Sequence, residues 1–223
     1  MLPSAIITAV LPDPPPAPRP GLEEAGAAES RDWPQAAAFA LSRAAAEDDP
    51  RPVVFVATGQ WRRERGGLFA RGLNRLGIAP GSVVQVCAER EIEALWALEE
   101  ALKSGAVKGG VATVEQPSFV ATRRLDFAAQ AGRATGVLLR AGPAGDLSAA
   151  RLRWRISALP SAAHPFDPRA PGDLRMRAEL VRRRNGPLGA WELEQDHETH
   201  RLGLAAGLAD HGLVAGGRIQ AAA

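Results

Sequence analysis

The chain has 223 residues, 46% of them apolar, enough for one domain with its own core and no staples. Its formal net charge is only +2, and its single cysteine, Cys87, excludes an internal disulfide and a cysteine metal site. No run approaches the roughly 18 apolar residues of a membrane span, and the apolar stretch Ala5–Val10 lacks the basic flank of a secretion signal. A cytoplasmic protein without membrane contact is therefore expected.

Taken in chain order, residues 1–31 are rich in proline and alanine and read as a flexible segment. Asp32 then offers an N-cap, with Pro34 in the first turn of a helix running to about residue 47. Val53–Ala57 is a short β-branched run that suits a strand buried on both faces. Residues 64–77 read as a helix weakened by internal glycines, and 83–87 as a second buried strand. The clearest helix is 89–105, where Ile92, Leu95, Trp96 and Leu102 share an apolar face and acids crowd the start. A strand at 110–114, a helix at 119–132 and a strand at 136–140 complete an alternation that predicts a parallel sheet. Beyond residue 145 the period changes. Residues 151–156 alternate polar and apolar, and 175–183 with 191–195 read as a hairpin. The expected fold is α/β: one domain over 32–202, a mostly parallel sheet flanked by helices with an antiparallel extension over about 150–202, and a flexible tail over 203–223.

Several kinds of chemistry find no residues to carry them. Neither lysine, Lys103 nor Lys108, sits in a G-x-x-x-x-G-K-[ST] frame, and no G-x-G-x-x-G follows a strand. His197 and His200 are spaced three apart, one short of the zinc-protease pattern, and read as a solvated chain end. Cys87 at the end of an apolar strand reads as a small buried hydrophobe. Glu91, Glu93, Glu99 and Glu100 read as a solvated helix surface. No catalytic residue, metal ligand or cofactor is assigned.

The stretch Leu76–Val114 resembles the core of the RecA recombinase: a helix ending in Leu-Gly, a strand, a long helix, a Ser-Gly-Ala-Val link and a further strand. It is more similar to the inducible-mutagenesis protein A (ImuA) family. That family has a similar Ala-Leu-Trp-Ala-x-Glu-Glu-Ala-Leu helix, here Ala94–Leu102, and a Thr-Arg-Arg-Leu helix start, here Thr122–Leu125. It also has strands like Gly136–Arg140 and Arg153–Ile156 and a closing hairpin like Arg177–Arg184 with Gly189–Asp196. The likeness covers about residues 53–202. It implies a RecA-like fold and an accessory role in SOS-induced, error-prone lesion bypass. The implied partners are an inactive Y-family polymerase homologue (ImuB-like), an error-prone C-family polymerase, RecA itself and single-stranded DNA. Where the recombinase has a catalytic glutamate this chain has Thr58-Gly59-Gln60, and where it has a magnesium-linked aspartate this chain has Thr113, with Glu115 two residues on. The proline-rich segment falls where the recombinase has its phosphate loop. A protein that does not hydrolyse ATP is expected, since phosphoryl transfer depends on those positioned charges.

Charge is distributed unevenly. Residues 1–150 carry 16 cations and 17 anions, whereas 151–184 carry nine arginines against Asp167, Asp173 and Glu179. Arg151, Arg153, Arg155, Arg175 and Arg177 are thus candidate DNA contacts, with Trp154 or Trp191 as a base-stacking ring. Against this, Trp154 alternates with arginine and so points toward a core, and Arg182 and Arg184 face Glu192 and Glu194 across the hairpin. Two readings follow: an adaptor joining polymerase components, or an accessory that sits on single-stranded DNA or recombinase filaments. A division inhibitor of the SulA type is a third, more distant resemblance.

Overall fold

A computed structural model describes residues 14–45, 48–140, 147–164, 166–167 and 169–205. Nine strands form one sheet in the order β3-β2-β4-β5-β1-β6-β7-β8-β9. The strands are β1 Gly21–Ala27, β2 Val53–Thr58, β3 Val83–Ala88, β4 Gly109–Val114, β5 Thr135–Arg140, β6 Leu152–Ala158, β7 Arg175–Arg183, β8 Gly189–Gln195 and β9 Leu202–Leu204. The helices are α1 Trp33–Ala44, α2 Gly59–Arg65, α3 Ala70–Arg75, α4 Glu91–Lys103 and α5 Phe119–Ala131. Strands β1 to β6 pair in parallel and β6 to β9 antiparallel. This is the mostly parallel sheet with an antiparallel extension that the residue pattern predicts.

The largest departure from the sequence reading is β1. Residues 21–27, read above within a flexible segment, form the middle strand of the sheet, between β5 and β6. Every residue of it is buried, including Glu23 and Glu24. Two adjacent carboxylates and two glycines disfavour a strand on local propensity. Burial of those carboxylates is tolerable only because each meets a guanidinium. Arg43 of α1 forks onto Glu23 at 2.9 and 2.8 Å, and Arg153 of β6 meets Glu24 at 2.7 Å. The proline-rich residues before β1 are held as well: Arg43 donates to the Pro16 carbonyl at 2.7 Å, and Arg151 to the carbonyls of Arg19 and Pro20.

Two apolar layers cover the sheet. On one side α1 packs with Phe39 and Leu41 against Phe55, Val111, Val137 and Trp154, and this layer runs on through Met176, Leu180, Trp191 and Leu193 of the extension. On the other, Leu98 and Leu102 of α4 and Leu125 of α5 enclose Leu22, Val54 and Leu138. Strands β2 and β4 are continuous apolar runs because both of their faces are covered. Helices α4 and α5 lie close enough that a side chain at Gly132 would run into the Leu102 carbonyl.

Four further corrections follow from packing. The stretch 64–77 is two helices, broken at Gly66 with φ +83°. Strand β3 is the sheet edge and half-exposed, so Cys87 is an exposed thiol and not a buried hydrophobe. In α4 the buried face is Ala94, Leu98 and Leu102, whereas Ile92 and Trp96 face solvent. Residues 203–204, read as flexible tail, belong to β9, and Ala205 is buried behind them. The expectations for residues 1–13 and 206–223 lie outside the described residues.

Candidate functional site

In open parallel sheets, ligands gather beyond the carboxyl ends of the strands. The strand–turn–helix unit at which a phosphate loop would stand is β1, residues 28–32, then α1. The proline-rich segment precedes this unit and does not occupy it. The turn reads Ala28-Glu29-Ser30-Arg31-Asp32, with no glycine or lysine. Asp32 is buried, and its carboxylate accepts from the backbone N–H of Glu29 at 3.0 Å and of Ala158 at 3.1 Å. A carboxylate of the protein's own therefore takes up the amides at this corner. Arg31 pairs with Glu29 at 3.1 Å.

Beside it, the ends of β2 and β4 frame a cleft of about 320 Å³. It is lined by Thr58, Gln60, Thr113 and Glu115, the positions compared above with the recombinase, and also by Glu64, Glu89, Arg90 and Glu91. The fold thus brings together residues far apart in the chain, and what converges is negative charge. Arg90 is committed to Glu93 through its Nε at 2.8 Å, and that contact holds the Glu93 carboxyl below its usual range. Among the described residues, no group of three or more His, Cys, Asp or Glu side chains is arranged to hold a metal ion.

The cleft adjoins a mainly apolar groove of about 730 Å³ between α4 and α5, with Arg90 and Glu91 lining both. Ile92, Trp96 and Val120 stand in it 68%, 61% and 67% exposed. Arg124 and Glu99 bridge it at 2.8 Å. Ile92 and Trp96 lie on the apolar face that the helical spacing predicts, but that face is too wide for all of it to be covered. A second apolar hollow of about 520 Å³, involving Trp33, Trp61, Leu68 and Leu73, lies beside α1 to α3.

The five candidate DNA contacts do not form one cationic surface. Arg153 is buried against Glu24. Arg151 is half-buried beside Glu23, and burial pushes its pKa down while the Glu23 charge opposes that shift. Arg155 lies 3.6 Å from Glu179, and Arg175 lies between Glu192 at 3.2 Å and Glu194 at 3.5 Å. Arg177 is exposed, opposite Glu192 in the strand register. On this open face Arg155, Arg175 and Arg177 are matched by Glu179, Glu192 and Glu194. Arg182 and Arg184 instead donate to the carbonyls of Ser148 and Ala149, both at 2.8 Å. Trp154 and Trp191 are buried, their centroids 5.8 Å apart, so neither offers a face to a base. His197 reaches Asp173 at 3.4 Å, and His200 sits in the following turn with φ +58°. Among the described residues no helix is long and apolar enough to cross a membrane.

The fold and these surfaces define an α/β protein with a mostly parallel sheet and a carboxylate-rich cleft at the strand ends. Comparison with known proteins takes this further. No protein-family model matches the chain. Protein ImuA of Caulobacter vibrioides strain NA1000 / CB15N is 38% identical over 168 residues, spanning 70% of this chain and 68% of that protein. Protein ImuA of C. vibrioides strain ATCC 19089 matches to the same extent. The chain belongs to the ImuA family. Among solved structures, SulA from Pseudomonas aeruginosa aligns with a TM-score of 0.45 and 24% identity, covering 53% of this chain and 96% of that one.

Proposed function

We propose that this protein is a non-catalytic accessory of damage-induced, error-prone DNA synthesis, acting as an adaptor that joins polymerase components through protein surfaces. Membership of the ImuA family supports a place in induced mutagenesis. The observation that carries the adaptor role is the α4–α5 groove, where Ile92, Trp96 and Val120 are all more than half exposed. A tryptophan and an isoleucine one helical turn apart leave an apolar stripe that a partner helix or extended segment can cover. The carboxylates at the strand ends oppose the binding of a triphosphate, which favours a protein partner over a nucleotide.

The proposed partners are an inactive Y-family polymerase homologue, an error-prone C-family polymerase and RecA. The direct test is co-purification of the full chain with the polymerase homologue, repeated with Trp96→Ala and Ile92→Asp. Both side chains are exposed, so circular dichroism and thermal stability are expected to stay unchanged while binding weakens by about 2 kcal/mol or more. Unchanged binding by both variants removes the groove from the interface. Surface substitutions are preferred to deletion of 175–202, which would strip Met176, Leu180, Trp191 and Leu193 from the core.

A further inference from the structure

Thr113, the next-to-last residue of β4, is only 2% exposed, and its Oγ1 has no hydrogen-bond partner. It lines the cleft that also holds Glu64, Glu89, Glu91 and Glu115. An unmet buried hydroxyl is costly, and carboxylates gathered around it repel one another. Internal contacts relieve part of this. Glu64 accepts from the Gln60 amide at 2.9 Å, and Glu91 from the Glu115 backbone N–H at 2.8 Å. Among the described residues the Glu89 and Glu115 carboxylates form no ion pair: the Arg140 guanidinium donates to the Glu115 backbone carbonyl at 2.7 Å, and Arg90 is engaged by Glu93. The cleft thus presents acceptors and negative charge without the ligand that would satisfy them.

We infer that this cleft seats a basic side chain, an arginine by preference, from the same partner segment whose apolar residues lie in the α4–α5 groove. The inference rests on the adaptor reading for the identity of the partner. Three observations select this occupant. Phosphate and nucleic acid carry the wrong charge for a cleft lined by four glutamates. Among the described residues a metal ion lacks a converging ligand set. The cleft adjoins the apolar groove through Arg90 and Glu91, so one segment can enter both. A guanidinium suits it because five forked N–H donors answer several acceptors at once, where an ammonium offers three.

Two measurements test this, one of them independent of any partner protein. In the first, N-acetyl-argininamide and N-acetyl-lysinamide are titrated into the full chain and followed by amide chemical shifts. The expected result is saturable shifts at Thr113 and Glu115 in the millimolar range, stronger for arginine. These shifts should be lost in the Glu89→Gln/Glu115→Gln double variant, which keeps side-chain size, and acetate or phosphate should leave them unmoved. No shift with either cation overturns the inference whatever the partner does. In the second, the double variant is expected to bind the polymerase homologue about tenfold more weakly, with a reduced salt dependence. If Trp96→Ala weakens binding and the double variant does not, the adaptor reading stands and the cleft's role falls. If the unaltered chain binds arginine amide but not the polymerase homologue, the cleft stands and the proposed partner falls.

Discussion

Glutamates meet arginines in two parts of this sheet, with opposite consequences. In β1, Glu23 and Glu24 are fully buried and their carboxylates touch Arg43 and Arg153 at 2.7 to 2.9 Å. Across β6 to β8, Arg155 and Arg175 meet Glu179, Glu192 and Glu194 at 3.2 to 3.6 Å on a face that no helix covers among the described residues. The first set decides whether the central strand can exist. The second decides mainly what the surface repels or attracts. The difference is solvent: water screens the outer pairs to about 0–1 kcal/mol each, whereas a buried charge that loses its partner has nothing to replace it.

The strongest way to break this comparison is Glu23→Ala. It removes the anion shared by Arg43, the Trp154 indole N–H and, more distantly, Arg151. Loss of about 3–5 kcal/mol of stability is expected in urea denaturation. A loss as small as that of a surface pair would mean the strand does not depend on the network. Next is Glu24→Leu, expected to be destabilising because it takes the buried Glu24 carboxylate away from Arg153. The double variant Glu24→Leu/Arg153→Met should recover most of that loss, because an apolar pair of similar volume needs no desolvation.

Smaller in stability but sharper in function is Glu192→Gln/Glu194→Gln. Unfolding should shift by no more than about 1 kcal/mol. The variant frees Arg175 beside Arg177, so it is expected to bind labelled single-stranded DNA more tightly, and with more salt sensitivity, than the unaltered chain. Equally tight binding by the unaltered chain would support direct DNA contact instead. The smallest effect is one of pH. The Arg51 guanidinium beside Asp49 holds its carboxyl below the ordinary 3.8, through side-chain and then backbone hydrogen bonds. A carboxyl depressed in the folded state stabilises above the unfolded pKa and loses that contribution as pH falls through and below it. Asp49→Asn should therefore flatten the acid limb of the stability curve slightly and leave neutral pH almost unaffected.

The alternation of apolar runs with helical periods made the parallel half legible in the sequence, and the switch to period two marked the extension. The motif helix Ala94–Leu102 carried the family resemblance, which the 38% identity to the Caulobacter protein matches. What the pattern hid was whatever depends on a distant residue. Strand β1 looks unfit for a core until Arg43 and Arg153 are in place. The arginine cluster looked cationic because its carboxylates come from β1, β7 and β8, which only the register places opposite. The cleft at Thr113 escaped notice for the same reason, since Glu64, Glu89 and Glu115 belong to three separate segments.

The sequence alone determined which stretches pair as strands or coil as helices over most of the chain, because side-chain period and β-branching act over a few residues. It also determined that no lysine stands in a phosphate-loop frame. Only the tertiary structure decided which charges are buried, which are cancelled and which remain open to a partner. Desolvation and ion pairing depend on neighbours brought in from elsewhere in the chain, and those neighbours are chosen by sheet order and not by spacing.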